Sequence, residues 1–339
     1  MSELTTNNPP FAPFASLCGR VTHGPKTARQ SACAKAIVVG EHAVVYGAAA
    51  VALPLTSLRM SVTLHPRGSW SVNGAKKSEP NIRMKLGDKQ VSPHLKQTVH
   101  EAFAVLGVDP FPLEIDGHSS VYIGAGLGSS AALCIVLLRS ISSSLGMNLT
   151  DDELAYLGNK LEARFHGNPS GLDTSTVALE TPILFRRGLR AQPLAIPEST
   201  DQKRWRFALI DSGVRASTMT MVNIASPWFQ CAEGANRIQQ FDDASRQVAT
   251  GLVQGDIAGV ADAMERTGSW LKEAGVVTDQ LTDIITRARE AGALAAKSTG
   301  AGGGGCVLAL LPANLPTNDA LKAMSKRLPG LNIIGVEVP

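Results

Sequence analysis

Apolar residues along the chain alternate between two rhythms, and these mark out the elements. Residues 31–39, 58–65 and 69–73 carry β-branched and apolar positions bounded by Gly, Pro and Ser, which predicts strands. Residues 93–106 space their apolar positions for a helix ending near Gly107. A short strand follows at Leu113–Ile115. Ser129–Leu145 predicts a long helix, apolar nearly all round at Ala131–Leu138 and therefore buried. Asp151–Phe165 predicts a second, with Thr150 as N-cap ahead of Asp151, Asp152 and Glu153. Pro182–Phe185 and Phe207–Ile210 read as strands. Then come helices over roughly 217–250, 255–274 and 278–293, a strand at Cys306–Leu311, a helix near 318–327 and a final strand at 332–338.

Strands followed by helices, twice over, predict two α+β domains, and 339 residues suit two domains. The polar, proline-containing stretch 191–204 is the expected boundary. The expected organisation is an N-terminal tail or extra edge strand (1–30), a first domain (31–195) and a second (196–339). With 44% hydrophobic and 18% charged residues, general disorder is excluded. A formal net charge of +3 is too small to argue for nucleic acid or an anionic membrane as partner. The longest apolar stretch, Ala43–Leu55, is too short to span a bilayer. Five widely spaced cysteines without a C-x-x-C pair, and seven histidines without H-E-x-x-H, argue against a disulfide framework and a zinc site. A reducing, cytoplasmic location is the expectation.

The unusual figures are 32 glycines against 5% aromatics, so where the glycines gather matters. Gly124-Ala125-Gly126-Leu127-Gly128-Ser129-Ser130 runs directly into the buried helix. Glycines let backbone N–H groups approach a ligand, and a helix start offers unpaired donors and a positive dipole end, so the segment suits a phosphate. A glycine turn with a serine cap is the plainer alternative. No Gly-Lys-Ser/Thr follows, so it is not a Walker A loop, and its G-x-G-x-G spacing is not the dinucleotide fingerprint. Gly300–Gly305 formally matches G-x-G-x-x-G, but a strand follows it rather than a helix. Five glycines there cost more ordering entropy than a turn requires, which favours a loop pressed against a ligand or against the other glycine loop. Lys35 stands inside an apolar strand ahead of Gly40-Glu41-His42, either as a solvated edge residue or as a paired functional lysine. Taken alone, Asp173 in His166-Gly-Asn-Pro-Ser-Gly-Leu-Asp173 is a cap or turn residue, and His42 and His166 are structural histidines.

Together these segments resemble a family. Lys35-Ala-Ile-Val-Val-Gly-Glu-His-Ala-Val-Val-Tyr-Gly47, Gly124–Ala132 and Lys297-Ser-Thr-Gly-Ala-Gly-Gly-Gly-Gly-Cys306 are similar to the three motifs of the galactokinase, homoserine kinase, mevalonate kinase and phosphomevalonate kinase (GHMP) superfamily, in the same order. Gly-Glu-His-Ala-Val-Val-Tyr-Gly resembles the mevalonate kinase branch, whereas galactokinases continue Glu-His with Thr-Asp-Tyr. The segments 166–173 and 207–218 resemble that branch too. The chain departs from the usual pattern at Ala32-Cys-Ala-Lys35, at Tyr122 and at Thr174, which alters turn geometry and removes no reacting group.

The resemblance implies a ribosomal protein S5 domain 2-like N-terminal domain and a ferredoxin-like C-terminal domain. It implies transfer of the ATP γ-phosphoryl group to the C5 hydroxyl of mevalonate, with Mg²⁺. Backbone N–H groups of 124–130 would cradle the phosphates, with Ser130 and Glu162 as Mg²⁺ ligands. Asp173 would accept the hydroxyl proton, Lys35 would pair with it, and Glu41, His42 and Thr218 would line the substrate side. Gly300, Gly302 and Gly303 would support the phosphate loop. Family members are often dimers, so a homodimer belongs to the expectation. The rivals are phosphomevalonate kinase, mevalonate 3-kinase and a silent ligand sensor on the same fold.

Overall fold

The computed structural model describes residues 18–67, 83–86, 93–197 and 205–338. The expected strand at 69–73 and most of the expected N-terminal tail lie outside the described residues. Two compact units are assembled from interleaved segments. The first takes Met1–Ala34, Thr56–Val121 and Gly128–Glu180, and the second takes Lys35–Leu55, Tyr122–Leu127 and Thr181–Pro339. Two long strands, β1 (Ala28–Val39) and β2 (Ala49–Pro66), contribute residues to both.

Strand β2 shows two burial regimes. Ala49–Leu55 is buried without interruption, as a strand covered on both faces must be. From Leu58 to Leu64 burial alternates, so only one face is covered. The apolar stretch that is too short for a bilayer, Ala43–Leu55, is thus a 3-10 turn at Ala43–Tyr46 followed by the doubly covered half of a strand. Among the described residues no helix is long and apolar enough to cross a membrane.

In the first unit, β2 pairs antiparallel with β4 (Leu113–Ser119), and β4 pairs parallel with β3 (Arg83–Leu86). Four helices belong here: α1 (Pro93–Leu106), α2 (Ser129–Ser144), α3 (Asp151–His166) and α4 (Leu172–Leu179). Helix α2 is buried from Ala131 to Leu138 except for a partly exposed Leu133, as its all-round apolar sequence requires. Helix α3 starts with a capping box. The Thr150 N–H donates to the Glu153 carboxylate at 2.9 Å, and the Glu153 N–H donates to the Thr150 hydroxyl at 3.3 Å.

Helix α4 is an element that the sequence pattern does not predict. Its central run Asp-Thr-Ser-Thr-Val consists of poor helix formers, yet Thr174, Ser175 and Thr176 are all buried in it. The Thr174 and Thr176 hydroxyls donate to the carbonyls of Gly171 and Leu172, so burial leaves them satisfied. Packing against α3 and α2 overrides the weak propensity. Gly158 makes that packing close: a Cβ there would lie 2.5 Å from the Ile135 Cδ1 on α2 and 3.4 Å from the Thr174 Cγ2 on α4.

In the second unit, β2 pairs antiparallel with β5 (Ile183–Arg186), and β5 with β6 (Gln192–Pro193). A separate antiparallel sheet has the order β10-β7-β9-β8, with β7 at Trp205–Asp211, β8 at Ala295–Thr299, β9 at Cys306–Leu310 and β10 at Asn332–Val338. Helices α8 (Asp279–Glu290) and α9 (Thr317–Arg327) bury Leu281, Ile284, Ala288, Ala320 and Met324 against Ala208, Ile210, Val307 and Ala309 of this sheet. Helices α5 (Thr218–Gln230), α6 (Gly234–Gln254) and α7 (Ile257–Glu273) complete the unit.

The single helix expected over 217–250 is therefore two. The chain breaks at 231–233, and the corner is so tight that a Cβ on Gly234 would lie 1.9 Å from the Phe229 carbonyl oxygen. Apolar periodicity continues across this corner, which is why the pattern fuses the two helices. The scarce aromatics concentrate here. Tyr46 stacks on Phe229 at 4.9 Å, and Trp228, Phe241 and Trp270 meet edge to face around them. Cys33, Cys134, Cys231 and Cys306 are free thiols, and burial pushes Cys33 and Cys306 up to about 12.

Gly158→Ala should cost about 1–3 kcal/mol of stability through overpacking of α3 on α2. Chemical denaturation of both proteins measures this. An unchanged midpoint would mean that Ile135 yields freely and that close approach is not what Gly158 provides.

Candidate active site

The first unit holds Gly128, Ser129, Ser130, Glu162 and Asp173. Gly128 is the N-cap of α2 in the left-handed conformation, φ 71° and ψ 34°, which a side chain adopts only with strain. It turns the chain sharply into a helix whose first N–H groups have no intrahelical partner. The Ser130 hydroxyl donates to the Glu162 carboxylate at 2.9 Å. Glu162 is 3% exposed and sits one helical turn beyond Gly158, on the same face of α3. The close approach at Gly158 is thus what brings α3 near enough to α2 for the two oxygens to meet. Asp173 is half-buried in the first turn of α4, where the helix start favours an acidic side chain.

The far end of α4 is clamped. Glu180, its C-cap, lies at φ 50° and accepts hydrogen bonds from Arg59 at 2.8 and 3.0 Å and from Arg139 at 2.6 Å. Arg59 also donates to the Ser31 hydroxyl and Arg139 to the Ser31 carbonyl. Burial alone would raise the Glu180 carboxyl, but the two guanidinium groups outweigh it and hold the carboxyl below its ordinary value. No sequence motif marks this residue; only a glutamate in the left-handed region points to it.

The second unit holds Lys35, Glu41, His42, Gly124–Leu127, Thr218 and the Gly300–Gly305 run. Lys35 is 2% exposed on β1, so it is not a solvated edge residue. Its N–H donates to the Leu127 carbonyl at 3.0 Å and its Nζ to the Gly126 carbonyl at 3.1 Å. The first glycine loop is therefore held by this lysine twice. Behind it lies the second loop, backbone against backbone. A Cβ on Gly300 would lie 2.9 Å from the Gly126 oxygen, and one on Gly305 would lie 2.7 Å from the Ala125 oxygen. Gly303 donates its N–H to Val276 and Gly305 donates its N–H to Val214, both at 2.8 Å. Gly302 presses on Val276 and Gly303 on Ala216 and Met221. Thr218 lies exposed between these last two, at the start of α5.

Glu41 is 1% exposed, and its carboxylate is gripped by Lys297 of β8, which is fully buried. Burial pushes the Glu41 carboxyl up and the Lys297 ammonium down, while their mutual attraction opposes both shifts. The His42 Nε2 donates to the Ala301 carbonyl at 2.9 Å, and burial pulls this imidazole below its ordinary value. Arg215 forms a two-pronged pair with Asp211 at 2.7 and 2.8 Å and donates to the Ile123 carbonyl. Burial would raise the Asp211 carboxyl, but Arg215 and the Gly213 N–H bring it below the usual range.

Each motif segment is thus held by its own network, and comparison with known proteins identifies the whole. Residues 94–180 match the model described as GHMP kinases N terminal domain, and residues 248–329 match GHMP kinases C terminal. A mevalonate kinase from Aeropyrum pernix is 31% identical over 294 residues, covering 84% of this chain and 89% of the relative. The chain belongs to the mevalonate kinase family of GHMP kinases. A mevalonate kinase from Thermococcus gammatolerans is 29% identical over 311 residues, covering 83% and 88%. The crystal structure of L. major mevalonate kinase in complex with R-mevalonate superposes with a TM-score of 0.74 at 22% identity, covering 93% and 97%. That likeness supports the fold. This mevalonate kinase family member is an enzyme of the kinase class with the expected α+β architecture.

Glu180→Gln tests the α4 clamp. Because the Glu180 carboxyl titrates below its unfolded value, its stabilisation is present above about pH 4.3 and lost as pH falls through the folded value. The variant should be less stable than the parent near pH 7, by about 1 kcal/mol after solvent screening. The gap should narrow toward pH 3 in denaturation curves, and parallel curves would remove Glu180 from the clamp.

Proposed function

We propose that the chain transfers the γ-phosphoryl group of ATP to the C5 hydroxyl of mevalonate, releasing ADP and 5-phosphomevalonate. The observation that carries this reading is the paired Ser130 hydroxyl and Glu162 carboxylate at the start of a buried helix capped by a left-handed glycine. Two hard oxygen donors 2.9 Å apart fit Mg²⁺, which keeps water and phosphate as its other ligands. Bound there, the ion supplies charge neutralisation for the transferring phosphoryl group.

The chain's own groups do the positioning. The N–H groups of Gly128, Ser129 and Ser130 bind phosphate oxygens at the helix start, and Gly124–Leu127 lines the nucleotide's phosphate chain. Lys35, fixed on the Gly126 carbonyl, sets a cation against the phosphoryl charge. Asp173 orients the C5 hydroxyl and takes its proton as the new P–O bond forms and the bond to ADP breaks. A loose transition state asks little basicity of it. His42 and Thr218 face the substrate side.

The placement of the arginines bears on the choice between an unphosphorylated substrate and phosphomevalonate. Arg186 is paired with Asp242 and donates to the Gly47 carbonyl. Arg215 is paired with Asp211, and Arg164 reaches Glu101 at 3.6 Å. Arg186 and Arg215 are thus engaged by carboxylates of their own unit and are poorer receivers for a second phosphate, whereas Arg164 makes only an exposed contact and Arg187 donates to the Val45 carbonyl at 3.3 Å.

Coupled ADP release with mevalonate, phosphomevalonate, galactose and homoserine tests the assignment, with the product identified by phosphorus NMR. Turnover is expected with mevalonate alone, with phosphate on C5. Asp173→Asn should lower kcat by roughly 10²–10⁴-fold and leave nucleotide affinity within a few-fold. Turnover with phosphomevalonate instead, or a collapse of nucleotide binding in the variant, would overturn the assignment.

A further inference from the structure

Glu41 belongs by motif to the substrate side, yet its side chain is 1% exposed and its partner Lys297 is wholly buried. The Lys297 Nζ also donates to the Ser298 carbonyl at 2.8 Å, so the ammonium is committed on both sides. The pair does not stand alone. The Ile37 N–H donates to the Thr299 hydroxyl at 2.9 Å, and that hydroxyl donates back to the Ile37 carbonyl at 2.9 Å. His42, held at φ 58°, donates to the Ala301 carbonyl. Positions 37, 41 and 42 of the first motif are therefore tied to 299, 297 and 301 of the third. Gly300 lies inside that tied segment and presses on Gly126, whose carbonyl receives the Lys35 ammonium.

We propose that Glu41 and Lys297 form a buried strut that positions the Gly300–Gly305 loop, and through it Gly126 and Lys35, and that Glu41 acts through Lys297 without touching substrate. The strut runs from the Glu41 carboxylate to Lys297, along β8 to Gly300, across the backbone contact to Gly126, and so to the Lys35 Nζ. Two observations separate this from a stability role. The Glu41 Oε2 is buried with no hydrogen-bond partner, a cost that an apolar residue would not carry. A buried ion pair replaced by apolar residues of similar volume commonly leaves stability unchanged or improved. Holding a left-handed His42 against the Ala301 carbonyl calls for a directional tie, and an apolar contact supplies none.

The kinetic arm rests on the proposed phosphoryl transfer; the exchange arm does not. Glu41→Leu/Lys297→Met removes both charges, and Glu41→Gln keeps the volume if the double variant does not fold. The expected double variant melts within a few degrees of the parent. Its kcat falls roughly 10–100-fold, as a misplacement of about 1 Å produces, with KM for mevalonate within about twofold. Hydrogen exchange, which needs no turnover, should quicken at the Gly303 and Gly305 amides in either variant. Parent-like kcat and parent-like exchange in a stable double variant would overturn the strut. So would Glu41→Gln with raised KM for mevalonate and unchanged kcat, since Glu41 would then touch substrate. If the parent fails to turn over mevalonate while exchange still quickens, the strut stands and the substrate assignment falls.

Discussion

The contact on which the second unit depends is the approach of one glycine backbone to another at Gly126 and Gly300. Any side chain at 300 would enter the space of the Gly126 peptide, 2.9 Å from its oxygen and 3.0 Å from its Cα. Both residues have positive φ, 78° and 81°, so conformation and space make the same demand. The contact lets two loops stack with no side chains between them. Loop backbone, not side chain, then faces whatever the loops enclose. Five glycines in one run are costly to order, and the cost is recovered only because neighbours fix each one: Val276 behind Gly302, Met221 behind Gly303 and Val214 behind Gly304.

The first unit meets a comparable demand with helices. A hydroxyl and a carboxylate must be kept together without closing on each other's full hydrogen-bonding capacity. Ser130 lies in the first turn of α2, where the preceding glycine fixes its direction. Glu162 reaches it only because α3 lacks a side chain one turn earlier, at Gly158. Asp173 is placed by a different device, a short helix pinned at both ends. Gly171 starts it in the left-handed region and Glu180 stops it there, with two arginines gripping the stop. A helix of eight residues has little stability of its own, so its orientation belongs to its ends.

The sequence exposed these parts unevenly. Helices α1 and α3 are legible from their apolar spacing and α2 from its nearly unbroken apolar run, and Thr150 with Glu153 marks the start of α3 to the residue. The glycine segments are legible because five glycines in one run cost more ordering than a turn requires, which favours close backbone approach over a simple turn. Helix α4 is not, since its Thr-Ser-Thr centre argues against a helix and only buried carbonyl partners rescue it. The corner at 231–233 is hidden by apolar periodicity that runs straight through it. Glu41 is recognisable as a motif residue, but its partner lies 256 positions away on a strand, β8, that the pattern does not predict. Pairings at such separation leave no local trace. The same holds for the interleaving of the units, which follows from strand pairing and not from composition.

Charge is placed with the same economy as glycine. A net charge of +3 hides a sharp division among the cations. Arg215, Arg186 and the pair Arg59 and Arg139 are neutralised in place by Asp211, Asp242 and Glu180 respectively, each a carboxylate held at short range. Lys35 is handled differently: it is buried, its ammonium donates to the Gly126 carbonyl, and its own N–H donates to the Leu127 carbonyl. A lysine engaged at both ends by one glycine loop cannot shift without shifting that loop. The position of its ammonium is therefore set by the stacked glycine backbones at Gly126 and Gly300 and not by the freedom of a long side chain.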